Sequence, residues 1–284
     1  MTTSSGLVVC CFFLVFAGVW AGSEWPAVST AFDLQLLVNE MVVADQERPN
    51  FCDIKINYWN RNGKLFEHVE EQLLTRRSFQ LLRDYSAKFD EGVINDGAGK
   101  RILQEAFLDH VYDSGPFQKL VEKFSAANHP WFAKKSKMEI VGQMRKIWFT
   151  DGYRDNLMST AFKHDVASSI TYNCPTGSVG YTKDVSGMLM TASPSFEFAF
   201  YTAMALYTTR TTTPSTPLQI RVEGCPLTIQ RSIVRTSNGY SAINTIYPVP
   251  GDENDAGCVD AYTIRSSTCP PDYQIPAGLD RPTT

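Results

Sequence analysis

Between Thr30 and Arg154, apolar residues recur three and four positions apart in AFDLQLLVNEMVVA, KRILQEAFLDHVY, PFQKLVEKFSAA and KMEIVGQMRKIWF. Residues at that spacing share one side of a helix, so each stretch predicts a helix packed along one face. Core packing accounts for these stripes without a cofactor. The breaks between them, ERPNFCD, NRNG, INDGAG and NHPW, carry turn chemistry. After DGYRDN the period changes. SVGYTKDVSGMLMTAS alternates as a strand does, and SPSFEFAFYTAMALY then opens a helix. Ser193 suits the N-cap, Pro194 the first helical position, and Glu197 the positive end of the helix dipole. LQIRVEG, PLTIQRSIVRT and YSAINTIYPV follow, β-branched and alternating, with SNG as a hairpin turn. The fold class expected is α+β: an N-terminal helical half, then a mixed β half holding one long helix.

The ends read differently. GLVVCCFFLVFAGVWAG is an uncharged apolar run ending in small residues, the layout of a secretory signal peptide over residues 1–22. It is short for a membrane span. From Pro250 the chain is rich in Pro, Gly and Asp and reads as a loosely held tail that Cys258 and Cys269 can staple. The expected divisions are therefore 1–22 leader, 23–155 helical part, 156–250 mixed α+β part, and 251–284 tail.

Charge narrows the functional classes. The net charge of −4 falls wholly outside the leader, which excludes a basic, non-specific nucleic-acid coat. Of 7 cysteines, Cys10 and Cys11 leave with the leader. Cys52, Cys174, Cys225, Cys258 and Cys269 remain, and one or two disulfides plus a free thiol are expected in an oxidising compartment. No C-x-x-C or H-x-x-x-H spacing is present, so a structural zinc site is not expected, and no residue is assigned to a metal. Of the 4 histidines, His68 and His110 fall on stretches read as amphipathic helices, on the solvated side; His129 falls in the turn NHPWF, and His164 lies in AFKHDVASS.

Taken in order, IWFTDGYR, AFKHDV, YTKDVSGMLMTASPSFEFAFYTAM and NTIYPV resemble the EndoU family of uridylate-specific endoribonucleases. DLQLLVNEMVVADQERPNFCDIKIN and LFEHVEEQLLTRRSFQLLRDY resemble its N-terminal blocks, so the likeness runs from about residue 30 to 250. The block SPSFEFAFYTAM is its most specific piece. The resemblance implies a secreted protein that cleaves single-stranded RNA after uridine, leaving a 2′,3′-cyclic phosphate. It further implies dependence on manganese, no DNA substrate and no stable membrane association. In that reaction the ribose 2′-OH attacks phosphorus. A base removes its proton, an acid protonates the departing 5′-oxygen, and a cation steadies the phosphorane; two histidines and a lysine suit these tasks.

Position by position, His164 matches the family's first catalytic histidine and Lys183 its catalytic lysine. Thr245 and Tyr247 match the pair that contacts the base and sugar of uridine. The departures lie around His164. Acidic positions on either side of it in the family are Lys163 and Ser169 here, which weakens the case for manganese. The second catalytic histidine is missing: DVASSITYNCPTGSVGYT, between His164 and Lys183, holds none. His129 superficially echoes the missing His-Asn-Trp motif but precedes the site by a whole helix. Three readings stand open: an active endoribonuclease with weakened turnover, a catalytically inactive relative binding RNA or a protein through the old cleft, and a transcript lacking an exon. Lys163 lies outside the gap and favours real degeneration.

Overall fold

The computed structural model describes residues 25–26, 28, 30–56, 66–90, 97–149, 170–173, 180–183, 189, 192–208, 216–235, 241–252, 254–260 and 269. At 56, 66–67, 86–90, 97–98, 170–173, 180–183, 234–235 and 244 the description covers the backbone alone.

The helix opened by SPSF is the centre of the molecule. Helix α7 (Pro194–Leu206) is buried along nearly its whole length. Its sequence explains why: PSFEFAFYTAMAL is apolar on every side, and such a helix is stable only when surrounded. The surrounding elements are α1 (Leu34–Ala44), α3 (Arg77–Asp90), α4 (Gly97–Asp113) and α5 (Gly115–Ala126) on the helical side. Strands β6 (Cys225–Arg235) and β7 (Ser241–Pro250) close the other. Phe198 meets Phe107 of α4, Phe117 of α5 and Trp148 of α6 (Lys137–Trp148) at ring separations of 5.7, 6.3 and 5.1 Å. Trp148 has a polar edge to satisfy in this core, and its Nε1–H donates to Thr202 Oγ1 at 2.9 Å.

Both ends of α7 are capped by side chains, one local and one from a distant strand. At the N-terminus Ser193 Oγ accepts from the Phe196 N–H at 3.0 Å, as the N-cap reading expected, with Pro194 at the first turn. At the C-terminus Arg231, on β6, donates to the carbonyls of Met204, Tyr207 (2.8 Å) and Thr216 (2.9 Å). Its positive charge thus lies against the negative end of the helix. Helix α5 can approach α1 because it begins with glycine: a Cβ on Gly115 would stand 2.3 Å from the Ala44 carbonyl oxygen.

One correction falls in the helical half, read from sequence as helices throughout. Strands β1 (Ile54–Ile56) and β2 (Phe66–Val69) form an antiparallel hairpin there, followed by the short helix α2 (Glu71–Leu74). His68 therefore sits on β2 opposite Lys55, and not on a helix. Three- and four-residue strands are too short to show a period of two against the longer helical patterns.

In the second half, β3 (Ile170–Asn173) and β4 (Gly180–Lys183) pair antiparallel, and β5 (Leu218–Val222), β6 and β7 form a meander in that order. The β5–β6 turn is Glu223–Gly224, both with positive φ (54° and 89°), the two-residue geometry that matches the twist of a hairpin. The outer edge of β5 is not left bare at Arg221. Gln35 of α1 accepts from its N–H at 2.7 Å and donates to its carbonyl at 2.8 Å, in place of a further strand.

Disulfides Cys52–Cys269 and Cys225–Cys258 tie the C-terminal tail to the helical half and to the meander. Cys174 and the leader lie outside the described residues. No helix among the described residues is long and apolar enough to cross a membrane.

Candidate functional site

Strands β6 and β7 decide where the uridine-contacting candidates stand. Opposite residues in an antiparallel pair share a face of the sheet. Ile229, Arg231 and Ile246 are buried against the helices, so their strand neighbours face the other way. On that outer face Ser232 lies opposite Thr245, Gln230 opposite Tyr247, and Thr228 opposite Val249. All six are half-buried, and none is charged.

A β-bulge makes this arrangement possible. Ile233 pairs with Ile243 while the preceding Ser232 pairs with Thr245, so Asn244 is the extra residue. Ile243 and Ile246, three apart, can then both be buried, at 3% exposure each. With regular alternation one of them would face outward. The bulge shifts the parity of the strand, and Thr245 and Tyr247 come out together on the outer face.

Lys183 closes β4, with Ile170 as its backbone partner. The chain that leaves it is anchored six residues on, where the Leu189 N–H donates to Glu197 Oε1 at 3.0 Å in the first turn of α7. Four residues later Ser193 is bound to Asp45 at the end of α1: the carboxylate accepts from its N–H at 3.0 Å and from its Oγ–H at 2.6 Å. Burial pushes the Asp45 carboxyl upward in pKa, against the lowering effect of those hydrogen bonds. Helix α7 thus starts from a buried polar lock, ten residues after Lys183. His164 lies outside the described residues, as do Lys163 and Ser169. Lys183 and the Thr245–Tyr247 face belong to separate sheets.

The other three histidines are accounted for. His129 is fully buried among Phe124, Trp131 and Phe132, at ring separations of 5.3–5.7 Å. Its Nδ1 accepts from the Trp131 N–H at 3.3 Å, which leaves the neutral ring's proton on Nε2. Burial lowers its pKa to about 4, only partly opposed by the Pro26 carbonyl. An imidazole sealed in aromatic rings exchanges no proton with RNA. His110 is on α4 as expected but is not simply solvated, since its Nε2 lies 2.9 Å from Glu47 Oε2. Burial opposes ionisation of Glu47, yet hydrogen bonds from His110 and Ser78 outweigh it and hold its pKa at about 2. His68 is 3.5 Å from Glu70 on the β1–β2 hairpin.

Among the described residues no three His, Cys, Asp or Glu side chains gather as a metal site. The outer face of β6 and β7 offers hydroxyl and amide oxygens without a carboxylate. That donor set does not fit manganese.

No family model and no curated protein matches the chain. Its structure, however, is similar to that of XendoU, described as a splicing-independent endoribonuclease that processes snoRNA. The match has a TM-score of 0.53 and 18% sequence identity, covering 78% of this chain and 97% of that one. The fold is EndoU-like. At 18% identity the similarity establishes the EndoU-like architecture, and the α+β class expected from sequence with it.

The sequence reading missed Gln230, Ser232 and the bulge. A signal for the bulge was present: in SAINTIYPV the apolar Ile243 and Ile246 are three apart, which an unbroken strand cannot bury on one face.

Proposed function

We propose that this chain is an EndoU-type ribonuclease scaffold that holds uridine-containing single-stranded RNA against Thr245 and Tyr247, with strand cleavage weakened or lost. The observation that carries this reading is the common outward face of Thr245 and Tyr247 on a fold shared with an endoribonuclease. A tyrosine ring beside a threonine hydroxyl offers one surface for stacking and one group for a base edge or ribose. The full reaction would take a proton from the 2′-OH and give one to the 5′-oxygen, leaving a 2′,3′-cyclic phosphate. His164 can hold one of those protons and Lys183 can steady the charge, but the sequence supplies no second histidine between them, and His129 is sealed away. Removing one member of a cooperative catalytic set commonly costs orders of magnitude in rate. Manganese has no matching ligand set among the described residues, and no step is assigned to it. Two disulfides, stable in oxidising surroundings, support a secreted protein.

The test incubates the purified protein with a uridine-containing oligonucleotide, with and without manganese, beside a Lys183→Ala variant. The expected result is binding with little or no cleavage. Rapid uridine-specific cleavage to cyclic phosphate, absent from the variant, would instead establish a fully active enzyme. Failure of the wild-type protein to bind the oligonucleotide at all would overturn the proposal.

A further inference from the structure

We infer that Gln230 belongs to the base-reading surface, its side-chain amide contacting the edge of the nucleobase that Tyr247 stacks. The inference rests on the RNA-binding reading above and names a residue that the family resemblance did not supply.

Register carries the argument. Gln230 is directly opposite Tyr247, and opposite side chains in an antiparallel pair stand with their Cβ atoms roughly 4.5–5.5 Å apart on the same face. That face is the outer one, because Ile229 and Arg231 on either side of Gln230 are buried toward α7. A base lying on the tyrosine ring would therefore turn its edge along the sheet toward a neighbour. The neighbour across the strand is an amide, which presents one acceptor and two donors side by side. Uracil presents an N–H flanked by two carbonyls, so an amide can accept from the first while donating to the second. Ser232, opposite Thr245, extends the same row of neutral hydrogen-bonding groups. The six residues that β6 and β7 present here carry no charge, which suits a base better than a phosphate, for which lysine or arginine would be expected. The bulge at Asn244 is what brings the two rows into this register.

The test measures binding of two labelled oligonucleotides by fluorescence anisotropy, identical except that the single uridine of one is an abasic site in the other. Gln230→Met keeps the length of the side chain and removes its amide. The expected result is a loss of about five- to tenfold in affinity for the uridine oligonucleotide and none for the abasic one. An equal loss on both, or no loss on either, overturns the inference. If Tyr247→Ala still weakens uridine binding in that case, the RNA-binding reading survives alone; if the wild-type protein binds neither oligonucleotide, both fail. Should Gln230→Met lower the melting temperature, Gln230→Asn carries the same comparison, because it retains an amide but withdraws it by one methylene. Its affinity falls for the uridine oligonucleotide alone if the amide reads the base.

Discussion

Ser193 gives both its backbone N–H and its hydroxyl proton to the carboxylate of Asp45, 148 residues earlier in the chain. The same hydroxyl oxygen then accepts from the Phe196 N–H, so the end of α1 and the start of α7 are joined through one serine. Helix α7 enters the core at this point.

Asp45→Ala leaves the Ser193 N–H buried without its acceptor and is expected to cost about 1–3 kcal/mol. Ser193→Ala removes the N-cap and is expected to cost about 0.5–2 kcal/mol. Since both act on one network, the double variant should lose less than the sum of the two. Urea unfolding of the four proteins checks this; strict additivity would show that the two residues act independently.

His129 sets a pH dependence with a definite sign. Its pKa is near 4 in the fold and 6.5 when unfolded, so the unfolded chain takes up the proton first as pH falls. Stability is full above pH 6.5 and declines as pH drops toward 4, by up to about 3 kcal/mol. His129→Asn, which retains an acceptor for the Trp131 N–H, should flatten that part of the profile. An unchanged slope between pH 6.5 and 4 would refute the assignment.

Arg231→Met is expected to destabilise the protein by about 2–4 kcal/mol, because the Met204 and Tyr207 carbonyls at the end of α7 and the Thr216 carbonyl before β5 lose a charged donor. Amide hydrogen exchange should accelerate most in the last turn of α7, near Tyr207. A uniform acceleration along the helix would argue against a local capping role.

Cys52→Ser with Cys269→Ser should lower stability by about 2–5 kcal/mol, since the bond constrains an unfolded loop spanning 217 residues. Mass spectrometry of non-reduced peptides should find Cys52 joined to Cys269 and Cys225 to Cys258. Any other pairing would contradict the fold.

The long elements were legible because their patterns are local. Ser193, Pro194 and the all-apolar run after them spell out a capped, buried helix, and α7 forms as written. The short strands β1 and β2 were not legible, since a few residues carry too little period to outweigh neighbouring helical patterns. Histidines were placed by local pattern too. His110 and His129 fell on the expected helix and turn, but the ionic partner of His110, Glu47, lies 63 residues away, and the burial of His129 with its neighbouring rings is set by tertiary packing.

Sequence by itself determined the class of fold, the order of its principal elements and the identity of Thr245 and Tyr247 as residues to watch. These follow from hydrophobic period, capping chemistry and resemblance, all of which act within a few residues. Tertiary structure alone decided that Asp45 locks Ser193, that Arg231 closes α7, and that Gln230 faces Tyr247. Strand register and buried hydrogen bonds join residues separated by up to 148 positions, and nothing in a local pattern encodes which partner lies opposite.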